Sequence, residues 1–173
     1  MMSISCGLLS AGCGYTTRTS LRPGIRSVYV KPFANKIDMT NPSSSYQNFP
    51  VYVHAMEIDI TNAVINQFQI NGILRPADLP HADLSLEGDL VEFRQDALRF
   101  SNSDQIQQWR LNVVANVRAY DLSTKEKLWE ENRITGDYIY ITTGPNAESE
   151  SSALQKAIQD LARRVVERTV EYW

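Results

Sequence analysis

The sequence has few of the features that mark disulfide-stapled, metal-binding or membrane-spanning proteins. Only two of the 173 residues are cysteines, Cys6 and Cys13, and both lie close to the N-terminus. The chain after Cys13 therefore has no internal disulfide framework and no thiolate metal site. No apolar run approaches the roughly 18 residues that a membrane-spanning helix needs.

Residues for acid–base or nucleophilic chemistry are also scarce. His54 and His81 are the only histidines, and their spacing fits no metal-ligand motif. The sequence lacks the GxSxG nucleophile motif and the GxxxxGK[ST] phosphate loop. The adjacent carboxylates of Glu130 and Glu131 point to opposite faces of a predicted strand. We therefore expect no enzyme activity, no metal and no cofactor; a small hydrolase with an unrecognised site is a weaker alternative.

The overall composition is that of an ordinary globular protein. Hydrophobic residues make up 43% of the chain, charged residues make up 21%, and the net charge is −3. A length of 173 residues predicts one domain. The negative net charge disfavours nucleic acid as a partner, although it leaves room for a local basic patch.

The segment ending at Cys13 is similar to a bacterial lipobox, in which the leader is cut before a cysteine that then carries lipid. Ala11 and Gly12 are the small residues that cleavage requires. Ser10 departs from the pattern, which normally has leucine there, and the short leader has no Lys or Arg. We predict that residues 1–12 are the remainder of a signal peptide whose true start lies upstream. Cys13 is then the lipidation site, 13–24 a tether and 25–173 one domain; the alternative is a disordered N-terminus with two stray thiols.

Hydrophobic periodicity predicts the element order βαβββα. The predicted strands cover residues 25–33, 83–94, 109–120 and 127–141, and the predicted helices cover about 53–71 and 149–172. A change of parity near Gly88–Val91 predicts either a β-bulge or burial of the strand on both faces. Residues 95–104 have the composition of a polar hairpin connection, and 38–50 that of a loop. The expected fold is an α+β two-layer sandwich, with two helices on one face of a four-stranded, mostly antiparallel sheet.

The strand at 109–120 has the clearest pattern in the chain. Its apolar residues alternate with Arg110, Asn112, Asn116 and Arg118, which predicts one face on a core and one polar face. In the first helix Ile58 and Ile65 lie off the main apolar stripe. They either pack beneath a loop or show that this helix contacts a partner as well as its own sheet.

The ordered set of motifs resembles the LPS-assembly lipoprotein family of the LptE type. The resemblance runs from Cys13-Gly14-Tyr15 almost to the C-terminus. Its other matching segments are IRSVYVKPFANK at 25–36, ITNAVINQF at 60–68, ADLSLEGDL at 82–90, WRLNV at 109–113 and YDLSTKEKLW at 120–129.

This resemblance implies a non-enzymatic role at the outer membrane. Members are anchored by lipid at its periplasmic face, plug a β-barrel translocon of the LptD type, assist its assembly and bind lipopolysaccharide. Gly14 after the cysteine is similar to lipoproteins sorted to the outer membrane. A lipid-anchored periplasmic scaffold that binds another envelope protein or peptidoglycan is the alternative function.

Four arginines are the candidate ligands for the phosphates of lipopolysaccharide. Arg110 and Arg118 project from the predicted polar face, and Arg94 and Arg99 flank the preceding hairpin. The guanidinium fork binds phosphate in a bidentate manner. The alternative is that these side chains are simply the solvated face of a strand.

Overall fold

The computed structural model describes residues 24–37, 50–100 and 106–171, without the side chains of 50–55. These residues form six strands and two long helices, together with a short 3₁₀ helix at Leu79–His81. In chain order the elements are β1 (Ser27–Val30), β2 (Ala34–Asn35), α1 (Pro50–Asn71), β3 (Arg75–Pro76), β4 (Leu84–Phe100), β5 (Ile106–Asp121), β6 (Lys127–Ile141) and α2 (Glu150–Glu171).

The sheet is six-stranded and mixed, so the prediction of four mostly antiparallel strands was wrong. Its strand order is β3-β1-β4-β5-β6, and β2 pairs with β4 further along that strand. The β4–β5–β6 meander is antiparallel, whereas β1, β2 and β3 form parallel pairs. Strands β2 and β3 have two residues each, which is too short for any alternating pattern to reveal. The α+β class with two helices is confirmed.

Strand β4 is longer than predicted, because residues 95–100 continue it rather than form the hairpin connection. The predicted bulge is confirmed: the register shifts between Leu90 and Glu92, so Val91 has no partner on β5. Two further irregularities lie between Ala97 and Phe100. These register shifts and the polar residues of this segment interrupt the alternation of apolar and polar side chains. The alternating pattern therefore did not predict where the strand ends.

Both helices pack on the same face of the sheet and enclose the core. The buried apolar residues of β4 and β5, such as Leu86, Phe93 and Val113, face the helices. Helix α1 contributes Met56, Ile60, Val64 and Phe68, and α2 contributes Ala153, Leu154, Ala157, Ile158, Leu161, Ala162, Val165, Val166 and Val170. Within residues 24–37, 50–100 and 106–171, no helix packs on the opposite face of β4–β5–β6, which we call the helix-free face.

A glycine brings α2 unusually close to β6. A Cβ atom at Gly136 would lie 2.4 Å from the carbonyl oxygen of Ala157 and 2.4 Å from the backbone nitrogen of Leu161. Real Cβ atoms do not approach backbone atoms so closely. Helix α2 can therefore pack this close to β6 only because Gly136 has no side chain.

Candidate functional site

The helix-free face of the sheet carries a row of charged side chains that cross from β4 to β5. The register places Glu87 opposite Arg118, Arg94 opposite Asn112, and Asp96 opposite Arg110. Because directly opposite residues of an antiparallel pair share a face, all of these side chains project from the same side. Three of the four predicted ligand arginines, Arg94, Arg110 and Arg118, are thus on one surface.

Arg118 and Arg94 are held in ion pairs within the protein. An Nη atom of Arg118 lies 3.0 Å from Oδ2 of Asp89, and Lys36 Nζ lies 3.0 Å from the same oxygen. The guanidinium of Arg94 contacts Glu92 at 2.8 Å and Asp96 at 2.9 Å. The positive charge on this part of the face is therefore largely neutralised before any ligand arrives.

Arg110 and Arg99 differ from the other two because neither has an acidic partner among the described residues. Asp96 lies opposite Arg110, but its carboxylate accepts hydrogen bonds from Arg94 and Asn112 instead. The Nε atom of Arg110 is buried without a hydrogen-bond partner. Arg99 is exposed and lines a cavity of about 370 Å³ with Gln107, Gln108, Ile141, Thr143 and Gly144. Within the described ranges, then, no carboxylate neutralises the charge of either arginine.

Exposed apolar side chains lie at the same end of the sheet as these two arginines. We call this part, formed by residues 97–100, 106–110 and 139–144, the distal end. Leu98 is 41% exposed, Phe100 57%, Ile139 38% and Ile141 39%. The register pairs Ile139 with Arg110, and Gln108 with both Ile141 and Arg99. The distal end therefore combines exposed hydrocarbon with two guanidinium groups that have no acidic partner in the part of the chain that the structure describes.

Distance also separates the arginines into two groups. Arg110 and Arg118 are eight residues apart on one strand, which at about 3.4 Å per residue is about 27 Å. They cannot bind one phosphate group together. Arg110 and Arg99 lie close to Gln108 on neighbouring strands, and the register brings them to the same end of the hairpin.

Two titratable groups near the ends of the sheet have shifted pKa values. Burial raises the pKa of Tyr140 to about 12, and its hydroxyl accepts a hydrogen bond from Gln95 at 2.9 Å. At the opposite end, the pKa of Asp83 is lowered, first by the backbone N–H of Arg26 and then by the Ser27 hydroxyl. Asp83 thereby ties the beginning of β1 to the beginning of β4, and neither group has the surroundings of a catalytic acid or base.

The acidic partners and the apolar distal residues are the parts of this site that sequence reasoning missed. Glu87 and Asp89 alternate with buried leucines in β4, so their orientation could have been read from the period of two. Because Val91 is unpaired, Glu92 and Asp96 project from the same face as Glu87 and Asp89. The period of two therefore predicts which face these acids occupy, but not which arginine each of them contacts.

The described residues show no metal centre, since no three His, Cys, Asp or Glu side chains are grouped to hold an ion. Neither long helix in the described ranges is long and apolar enough to cross a membrane. Cys13 and the predicted tether lie outside those ranges, as does most of the predicted loop at 38–50.

The two-helix α+β fold with a mixed sheet is similar to that of several solved structures. A hypothetical protein from Chlamydia trachomatis has a TM-score of 0.55 at 10% identity, covering 86% of this chain and 97% of that one. A protein from Xanthomonas campestris also has a TM-score of 0.55, at 13% identity and coverages of 87% and 90%. Lipoprotein B from Nitrosomonas europaea has a TM-score of 0.50 at 14% identity, with coverages of 86% and 90%. At these identities the likeness concerns the fold alone.

The family is shown by the sequence itself. Residues 25–169 match the family described as LptE, Lipopolysaccharide-assembly, and the chain belongs to it. The resemblance predicted from the motifs is therefore confirmed, and with it a lipoprotein role in lipopolysaccharide assembly. No curated protein matches the chain significantly.

Proposed function

We propose that the protein is an outer-membrane lipoprotein that contacts lipopolysaccharide through its distal end while it plugs, and helps to assemble, the β-barrel translocon that inserts this lipid. Family membership supports the role in lipopolysaccharide assembly. The observation that supports the ligand contact is that Arg99 and Arg110, which have no acidic partner among the described residues, lie at the same end of the sheet as exposed Phe100 and Ile141.

The chemistry of the distal end matches an amphiphile with phosphate groups and acyl chains. Phosphate oxygens accept charge-assisted hydrogen bonds from guanidinium groups, which are stronger than hydrogen bonds between neutral groups. Packing of acyl chains against Phe100, Leu98 and Ile139 is favourable, because it removes apolar surface from water. The two kinds of group lie within a few residues of each other, so a single lipid molecule can contact both.

The remaining helix-free face suits a wet pore. Walls of barrel lumens are polar, so a plug needs a polar surface that stays hydrated. On this face Glu87, Asp89 and Glu92 balance Arg94 and Arg118, with Lys31, Lys36 and Arg133 at its margins. A neutralised polar surface can lie against such a wall without a large desolvation penalty for unpaired charge.

The anchor is proposed at Cys13, at the periplasmic face of the outer membrane. Residues 1–12 are the signal remnant, and 13–24 are the tether. A single acyl chain binds a membrane only marginally, whereas two or more chains hold a protein stably. The twelve residues from Cys13 to Gly24 span at most about 43 Å when extended. The folded domain would therefore stay near the membrane surface but free to turn.

The ligand contact is tested by two matched double substitutions in the full chain. Arg99→Gln with Arg110→Gln removes the two guanidinium groups that have no described acidic partner. Arg94→Gln with Arg118→Gln removes the two that are held in ion pairs. Binding of purified lipopolysaccharide is measured by isothermal titration calorimetry, and folding by circular dichroism.

We expect the first variant to bind at least about tenfold more weakly, because two charge-assisted hydrogen bonds are lost. The second variant should bind within about twofold of wild type but unfold more easily, because Asp89 loses a partner. Equal affinity of wild type and the Arg99/Arg110 variant would refute the assignment. A larger loss in the Arg94/Arg118 variant would move the site to the middle of the face.

The barrel partner and the anchor are tested together by affinity purification from detergent-solubilised envelopes, followed by mass spectrometry. An outer-membrane barrel as the main partner and an acylated peptide beginning at Cys13 are the expected results. A soluble periplasmic partner without a barrel would support the scaffold alternative instead.

A further inference from the structure

The outer surface of α1 is almost uncharged, unlike that of the neighbouring helix. Among its described side chains, residues 56–71, only Glu57 and Asp59 carry charge. The exposed side of α2 has the i,i+4 ion pairs of a solvated helix, such as Arg163 with Glu167 and Arg164 with Asp160. The two helices lie side by side on the same sheet and differ in the charge of their outer faces. The scarcity of charge on α1 therefore indicates that its outer face contacts another surface.

A ridge of four residues runs along this face at a spacing of four. Ile58 is 57% exposed and Ile70 is 78% exposed, and between them Asn62 and Asn66 are also exposed. Val64, midway along the ridge in sequence, is fully buried on the core side. The midpoint of the ridge therefore points directly away from the core, with one isoleucine on each side of it.

The order Ile-Asn-Asn-Ile reads the same in both directions. Ridges at i±4n spacing pack against each other when two helices cross at about −50°, the commonest class of helix contact. In an antiparallel pair with two-fold symmetry, Ile58 meets Ile70 of the second copy, and Asn62 meets its Asn66. An amide is both donor and acceptor, so the two central pairs can satisfy each other. A two-fold interface requires such self-complementarity.

The groove beside the ridge provides the depth that a second helix needs. It has a volume of about 470 Å³ between α1 and α2, and its lining includes the small residues Ala63 and Ala162 as well as Ile158. Five amide side chains, and no cation, line the rest together with Asp59 and Ile70: Asn62, Asn66, Gln67, Gln155 and Gln159. Asp59 is the one charged residue of this lining, so a second copy of α1 can enter the groove with little unpaired charge being buried.

We propose that two copies of this chain associate through α1, with Ile58 and Ile70 packed at the ends of the contact and Asn62 and Asn66 paired at its centre. A contact made by one helix from each copy lies at the low end of interface sizes, below about 1,200 Å². The dimer is therefore weak and forms at high protein concentration. This inference does not depend on the lipopolysaccharide site or on the anchor. It concerns copies outside the barrel, because a plug that fills a lumen leaves no room for a second copy.

Sedimentation equilibrium of the full chain over a range of concentrations tests the association. Asn62→Arg with Asn66→Arg places four guanidinium groups at the centre of the contact, where like charges repel. The matched control is Asn132→Arg with Asn146→Arg, which adds the same charge at exposed positions of β6 and the following loop. We expect the dissociation constant of the dimer to rise at least about tenfold in the first variant and to change less than about twofold in the control.

The register is tested by disulfide crosslinking in a Cys6→Ser, Cys13→Ser background. A mixture of the Asn62→Cys and Asn66→Cys variants should crosslink more than either variant alone, because position 62 faces position 66 of the other copy. A monomer at every concentration overturns the proposal and leaves the α1 face to a different protein. A dimer that the Asn62/Asn66 arginines do not weaken, or crosslinking without preference for the mixture, also overturns it.

Discussion

Replacing Gly136 by alanine should loosen the attachment of α2 to the sheet. The added Cβ would lie 2.4 Å from two backbone atoms of α2, the oxygen of Ala157 and the nitrogen of Leu161, and 2.5 Å from the Cβ of Leu161. A comfortable contact needs roughly 3.5 Å, so the helix must move outward by about 1 Å. Backbone atoms cannot rotate out of the way as a flexible side chain can.

The magnitude follows from the packing that such a movement disturbs. A radial gap of 0.5–1 Å already loses roughly a quarter to a half of the dispersion energy of each contact. Inserting a methyl group into a well-packed core costs about 1–3 kcal/mol, and occasionally more. We expect about 3 kcal/mol here, because Leu161 and Ala157 are fully buried and the obstacle is the helix backbone. For a domain of this size, that corresponds to a fall in Tm of roughly 6–12 °C.

The assay is thermal and urea unfolding followed by circular dichroism, with Ser151→Ala as the control. Ser151 is exposed on the same helix, and its substitution should change the free energy of unfolding by less than about 0.5 kcal/mol. If Gly136→Ala lowers Tm by less than 2 °C, roughly the effect of 1 kcal/mol or less, the close approach of α2 to β6 is not as the structure has it.

Three further predictions concern single groups. Asp83→Asn should remove stability that depends on pH: the folded pKa of Asp83 is lowered, so its contribution is present above the unfolded pKa of about 3.9 and is lost as pH falls through the folded value. Urea unfolding of wild type and variant should therefore differ at pH 7 and converge near pH 2; an equal difference at both would contradict this. Thr61→Val should cost about 1–3 kcal/mol, because the Thr61 hydroxyl oxygen accepts a 2.9 Å hydrogen bond from the buried backbone N–H of Phe33. Denaturant titration measures that loss, and a neutral result would mean that water replaces the hydroxyl. Phe100→Ser should leave the free energy of unfolding within about 0.5 kcal/mol, because Phe100 is 57% exposed, yet weaken lipopolysaccharide binding in calorimetry. Unchanged binding would remove the apolar half of the proposed site.

The long elements could be predicted from the sequence because their periodicity extends over many residues. The sequence of β5 alternates over most of residues 109–120, and both helices follow an apolar stripe for several turns. The two-residue strands could not be predicted, since β2 and β3 exist only through pairing with β4 and β1, which are distant in sequence. Such pairing depends on the tertiary fold, and no local pattern encodes it.

The sequence analysis identified the arginines of the candidate site but not the acidic residues that pair with two of them. The residue types identified four arginines, and the alternation in β5 placed Arg110 and Arg118 on its polar face. Which arginines are neutralised depends on cross-strand neighbours, and these depend on a bulge whose exact position the sequence left open. Asp89 and Asp96 determine which arginines are neutralised, and only the strand register shows which arginines they contact.

Photocrosslinking in living cells tests the central claim most directly. A photoreactive phenylalanine analogue is placed at Phe100 at the distal end, and at Ser151 on the helix layer as a control. We expect a lipopolysaccharide adduct at position 100 and none at position 151, detected by immunoblotting of the irradiated protein. An adduct at position 151 alone, or none at either position while the protein is correctly anchored, would contradict the account.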